Sequence, residues 1–81
     1  MNYESAIKKY IYFKKKYVIS TLENLKSFEQ KHDLLLHEIT SIITIKMILI
    51  EAGSADELFE LIKEWELEVR QMQDDLFKTF M

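Results

Sequence analysis

The stretch Ile39-Thr-Ser-Ile-Ile-Thr-Ile-Lys-Met-Ile-Leu-Ile50 decides the fold class. Its β-branched residues suit a strand, because stiff side chains pack well on a pleated surface. A strand needs a second strand to pair with, and no other segment reads as one. Taken as a helix, Leu35, Leu36, Ile39, Ile42, Ile43, Ile45, Met47, Leu49 and Ile50 cover most of the circumference. Only Asp33, His37, Thr40, Thr44 and Glu51 form a narrow polar stripe. A helix that is apolar on most sides belongs in the middle of a bundle. The expected element is a central, buried helix near 33–52.

Toward the C-terminus the pattern is cleaner. Leu58, Ile62, Trp65, Val69, Met72 and Leu76 recur at alternating steps of four and three, a heptad-like seam. Phe59, Leu61, Leu67, Phe77 and Phe80 widen the apolar face, and Glu60, Glu64, Glu68 and Asp75 lie away from it. Ser54-Ala55-Asp56-Glu57 has the form of a capping box, with Ser54 and Glu57 satisfying each other's amides. Gly53 just before it suits the left-handed residue that ends a helix. A helix over about 55–79 follows, with Trp65 in its core seam.

The N-terminal segment is helical on the same grounds. Ile7, Tyr10, Ile11, Tyr17, Val18, Leu22, Leu25 and Phe28 fall on one broad face. Lys14 interrupts it, with a stem long enough to cover apolar surface while its ammonium reaches water. This helix is expected near 3–30, with a break at 31–33 and Asp33 as the next N-cap. The competing reading is one helix over 3–52. Such a helix would be roughly 75 Å long, twice the length of the segment available to cover it, and would demand a second chain.

The fold expected is all-α: a three-helix bundle or helical hairpin in one domain, 1–81. Proline is absent and Gly53 is the only glycine, so a β fold with several tight turns is hard to build, and without cysteine disulfide staples are excluded. A chain of 81 residues buries a modest share of its surface, and an apolar excess on it argues for a homodimer joined through apolar helix faces. No secretory leader pattern is visible, and Ile39–Ile50 is too short and too charged, with Lys46, to span a membrane. A cytoplasmic location is the corresponding expectation.

The net charge of −3 conceals a polarity. Residues 1–31 hold seven Lys and three Glu, whereas residues 51–81 hold nine acidic and three basic groups. The run Lys8-Lys9-Tyr10-Ile11-Tyr12-Phe13-Lys14-Lys15-Lys16-Tyr17 mixes cations and aromatics, as nucleic-acid contacts require. The acidic balance of the whole chain opposes that reading, and the acidic third helix offers an internal counter-charge.

Chemistry-bearing constellations are few. With one glycine, neither a phosphate loop nor a nucleophile elbow can form. Glu29-x-x-His32 has the spacing found in di-iron bundles but occurs once, where such sites need two copies and further carboxylates. Glu29, Asp33 and His37 repeat every four residues and would share a metal only on an unbroken helix. His37 and Glu38 point in different directions and form no dyad. The expectation is a protein that is not an enzyme and carries no cofactor: a small protein–protein interaction module, such as a regulator, inhibitor or antitoxin-like factor. Its candidate contact residues are Glu60, Glu64, Glu68, Asp74 and Asp75 on the third helix, then Lys14, Lys15, Lys16, Tyr12 and Phe13 on the first. Nucleic-acid binding through the Lys-rich helix and a metal-dependent bundle are the alternatives.

Overall fold

Ser27 separates the first two helices. It has extended backbone (φ −92°, ψ 149°), and its hydroxyl oxygen accepts from the Gln30 amide at 3.1 Å. Three residues earlier, the Asn24 side chain donates to the Ser20 carbonyl at 3.0 Å, taking up one of the last acceptors of the preceding helix. The computed structural model describes residues 3–53 and 56–80, Tyr3 by its backbone only. It contains α1 (Tyr3–Asn24), α2 (Phe28–Glu51) and α3 (Asp56–Phe80).

The break therefore lies at 25–27 and not at 31–33. Asp33 is no cap: it is an exposed residue inside α2. The physical reason is local, since a Ser at N-cap with Gln three residues on satisfies a free amide where Lys31-His32-Asp33 offers nothing stronger. The single helix over 3–52 is likewise excluded. The C-terminal end of α2 is as expected, with Gly53 in the left-handed region at φ 63°. The anticipated capping box rests on Ser54 and lies outside the described residues.

Short connections turn the chain back twice, so α1 and α3 run parallel and α2 runs against both. Lys8 meets Glu57 and Lys15 meets Glu68 along α1 and α3, while Lys46 meets Glu66 across α2 and α3. The result is an elongated three-helix bundle of 43 × 19 × 15 Å.

Ile11 and Val18 of α1, Leu35, Ile39, Ile42 and Leu49 of α2, and Leu58, Ile62, Trp65, Val69 and Leu76 of α3 form the core. The α3 seam is filled as its spacing requires, with Met72 packed at the edge. Two expectations fail. Tyr10 and Tyr17 are exposed, so the buried face of α1 is narrower than its apolar pattern. And α2 is not enclosed: Leu36, Ile43, Met47, Ile48 and Ile50 all face out. A helix in a three-helix bundle has only two neighbours, which cover about half of its circumference whatever its composition.

Replacing Ser27 with Ala should lower unfolding free energy by about 1 kcal/mol, whereas Asp33→Ala should change it by less than about 0.5 kcal/mol. Urea denaturation of the two variants measures both. A larger loss at Asp33 would place the helix start where the sequence pattern first suggested it.

Candidate interaction surfaces

One buried polar contact orients the three helices and so sets which side chains face water. Glu38 of α2 is 4% exposed. One of its oxygens accepts from the Trp65 indole N–H of α3 at 2.9 Å, and the other lies 3.6 Å from the Lys14 ammonium of α1. An unpaired carboxylate in an apolar interior is strongly unfavourable, and a buried indole N–H needs an acceptor. Each group here answers the other. Lys14 reaches in while its side chain keeps 30% exposure, as its long stem allows.

A second tie lies toward the surface. Lys46 donates to Glu66 at 2.8 Å, and Arg70 donates to the other oxygen of Glu66 at 2.9 Å. The Lys46 hydrogen bond, opposed by partial burial and aided by Arg70, holds the Glu66 carboxyl below the usual range. Lys8 and Glu57 shift each other in the favourable directions, Lys8 up and Glu57 down, through their mutual hydrogen bond and charge. Both are well exposed, so their contribution to stability is small.

Between α1 and its two neighbours the charge polarity of the sequence is partly cancelled. Lys8, Lys14 and Lys15 are engaged by Glu57, Glu38 and Glu68. Lys16 lies 4.6 Å over the Tyr12 ring, and Tyr12 meets Phe13 edge-on at 5.6 Å. Much of the basic run is thus committed within the chain. On α3, Glu68 is paired and Asp75 accepts from Gln71, while Glu60 and Glu64 are exposed. Asp74 is exposed too, but a helical step of one residue turns it away from Asp75. Glu60, Glu64, Glu68 and Asp75 thus share one sector of α3, and Asp74, nearly four turns of helix after Glu60, flanks that sector on the Glu60 side. Glu60, Glu64 and Glu68 follow one another at i, i+4, an arrangement that slightly destabilises a helix.

The Glu29-x-x-His32 pair sits on the first turns of α2. The His32 ring stacks on Phe28 at 5.6 Å and meets the Phe77 edge at 5.5 Å, in an aromatic cluster that Phe80 completes. Glu29, Asp33 and His37 do lie on one unbroken helix, all exposed. Among the described residues, no three His, Cys, Asp or Glu side chains converge closely enough to hold a metal ion.

The surface that sequence reasoning placed inside is the outer side of α2. Leu36, Ile43, Met47 and Ile50 follow one another at steps of seven, four and three and share one side of the helix. Met47 is 60% and Ile50 66% exposed. Thr40 and Thr44, interleaved with them, donate their hydroxyls to the Leu36 and Thr40 carbonyls at 3.0 Å. Their donors are thereby satisfied within the helix, which leaves the stripe free of charge and short of hydrogen-bonding demand. The signal lies in the sequence itself, as more apolar positions than the two neighbours of α2 can cover.

Compared with known proteins, the chain matches no family model, no curated protein and no solved structure. Among the described residues, no helix is long and apolar enough to cross a membrane.

Removing the Glu38 carboxylate as Glu38→Leu should cost about 2–4 kcal/mol, because it strands the Trp65 N–H and the inward Lys14. Glu38→Leu combined with Trp65→Phe should lose less than the sum of the two single changes by about 1 kcal/mol or more. Additive losses in denaturant titrations would mean that the two side chains do not act together.

Proposed function

We propose that this chain is a small protein–protein interaction module, a regulator, inhibitor or antitoxin-like factor that works by occupying a surface on a larger protein in the cytoplasm. The observation that carries this reading is the exposed, uncharged stripe of Leu36, Ile43, Met47 and Ile50 on a helix whose other side is packed in the core. Contiguous apolar surface of this kind on a small domain marks contact sites. Methionine at its centre adapts to an irregular partner.

The acidic side of α3, with Glu60, Glu64, Glu68 and Asp75, supplies the steering field, and Asp74 extends it outward. A file of acidic residues that repel one another along a helix supports a role outside the fold. Tyr12, Phe13 and Lys16 offer a second contact region on α1, with Lys14 and Lys15 already held internally. Self-association into a homodimer through the exposed apolar side chains is the second reading, supported by the same surface. Nucleic-acid binding and metal chemistry draw less support, because Lys8, Lys14 and Lys15 are held by carboxylates within the chain and His32 is packed among aromatic rings.

A photo-crosslinking amino acid placed at Ile43 in cells should yield a covalent adduct with a different protein, and the same group at Lys78 should yield much less. An adduct only at the mass of two copies would favour the homodimer instead. No adduct at either position would contradict the interaction reading.

A further inference from the structure

The charges around the α2 stripe indicate what kind of surface fits it. From Leu36 to Ile50 the stripe rises roughly 21 Å, four turns of helix. Glu29 and Asp33 are exposed before its start, and Glu51 is exposed just after its end. Asp56 of α3 joins Glu51 there, since it lines the same hollow as Ile50 and Phe59. The cations along its α3 border are constrained: Lys46 and Arg70 are both held by Glu66. Lys63 stands two residues before Trp65 and so points outward from α3. The stripe is thus apolar in the middle and acidic at both ends.

That symmetry bears on the occupant. When two copies pair α2 stripe to α2 stripe, acidic ends meet acidic ends whether the helices run parallel or antiparallel. Like charges set against each other in an interface weaken it. Anionic lipid or nucleic-acid phosphates meet the same repulsion. A helix with apolar side chains at steps of three and four over about four turns, and Lys or Arg at both ends, satisfies the stripe and its ends together.

We infer that the outer side of α2 receives a cation-ended amphipathic helix from another protein, with Leu36, Ile43, Met47 and Ile50 as the apolar seat and Glu29, Asp33, Glu51 and Asp56 as the end contacts. This rests on the proposed function and specifies its partner. Met47 and Ile43 at the centre take the partner's anchors, while the acidic ends fix its position along the groove and exclude acid-ended helices.

The test uses the purified full chain and two synthetic helical peptides of about 24 residues, some 36 Å long. Both carry Leu at the required steps with Ala and Gln between, one with Lys clusters at both ends and the other with Glu clusters. Fluorescence anisotropy at low ionic strength should show the Lys-ended peptide binding about ten-fold tighter or more. Ile43→Asp, on the exposed side and away from the core, should remove that binding while leaving the melting curve in place. Asp33→Lys with Glu51→Lys should reduce or reverse the preference. Equal binding of the two peptides, or binding that survives Ile43→Asp, overturns the inference. So does a dimer in sedimentation that Ile43→Asp dissociates, which would assign the stripe to a second copy. Equal peptide binding defeats this inference even where the cellular crosslink from position 43 forms. A missing crosslink with intact peptide discrimination strikes at the proposed function alone.

Discussion

Glu38 brings a carboxylate into the interior of a small bundle, and the arrangement of the helices follows from how that charge is answered. Trp65 supplies an N–H from α3 and Lys14 a cation from α1. Sliding α3 along α2 by one residue, or rotating α1 by one position, breaks one of these contacts and leaves a buried polar group without a partner. Apolar contacts alone tolerate such shifts more readily, since they are not directional. Among the described residues no buried side-chain nitrogen or oxygen lacks a partner, so the interior is consistent with this single registration. A buried ion contact of this kind adds little net stability compared with an apolar substitute, and its effect is to select one packing among several.

The same registration decides what is left outside. Once Glu38, Leu35, Ile42 and Leu49 face inward, the helical repeat carries Leu36, Ile43, Met47 and Ile50 to a side that α1 and α3 leave partly uncovered. The exposed stripe is therefore a consequence of how α2 is oriented, and its lack of charge is a property of the sequence that folding stability does not explain. Ion pairs such as Lys15–Glu68 and Lys8–Glu57 align α1 with α3 and use up cations that an external anion would need. The fold thus engages three of the five lysines of the basic run and leaves apolar and acidic side chains on its surface.

Much of the fold was legible from residue spacing. The α3 seam and the role of Gly53 followed from local rules that the structure obeys, and α2 is the helix its unpaired β-branched run implied. Three features were not read. Ser27-Phe28-Glu29-Gln30 carries a capping pattern, but it sits inside an apolar face that continues through Phe28 and His32 and masks the break. Tyr10 and Tyr17 matched the apolar period of α1 while lying too far round it to be covered. Glu38 fell within the α2 seam, between Leu35 and Ile42, where a charged residue signals either a break in the seam or a buried partner. Its partners come from two other helices, and no local pattern names them. The α2 stripe was misplaced because composition reports what a helix can bury, whereas burial depends on how many neighbours it has.

Hydrogen exchange at the Trp65 indole N–H, followed by NMR, tests the central claim most directly. The account predicts slow exchange in the native protein and a clear shift of that resonance in Glu38→Gln, with the other helices still formed. An indole that exchanges as fast as one in water, or whose resonance ignores the change at Glu38, would contradict it.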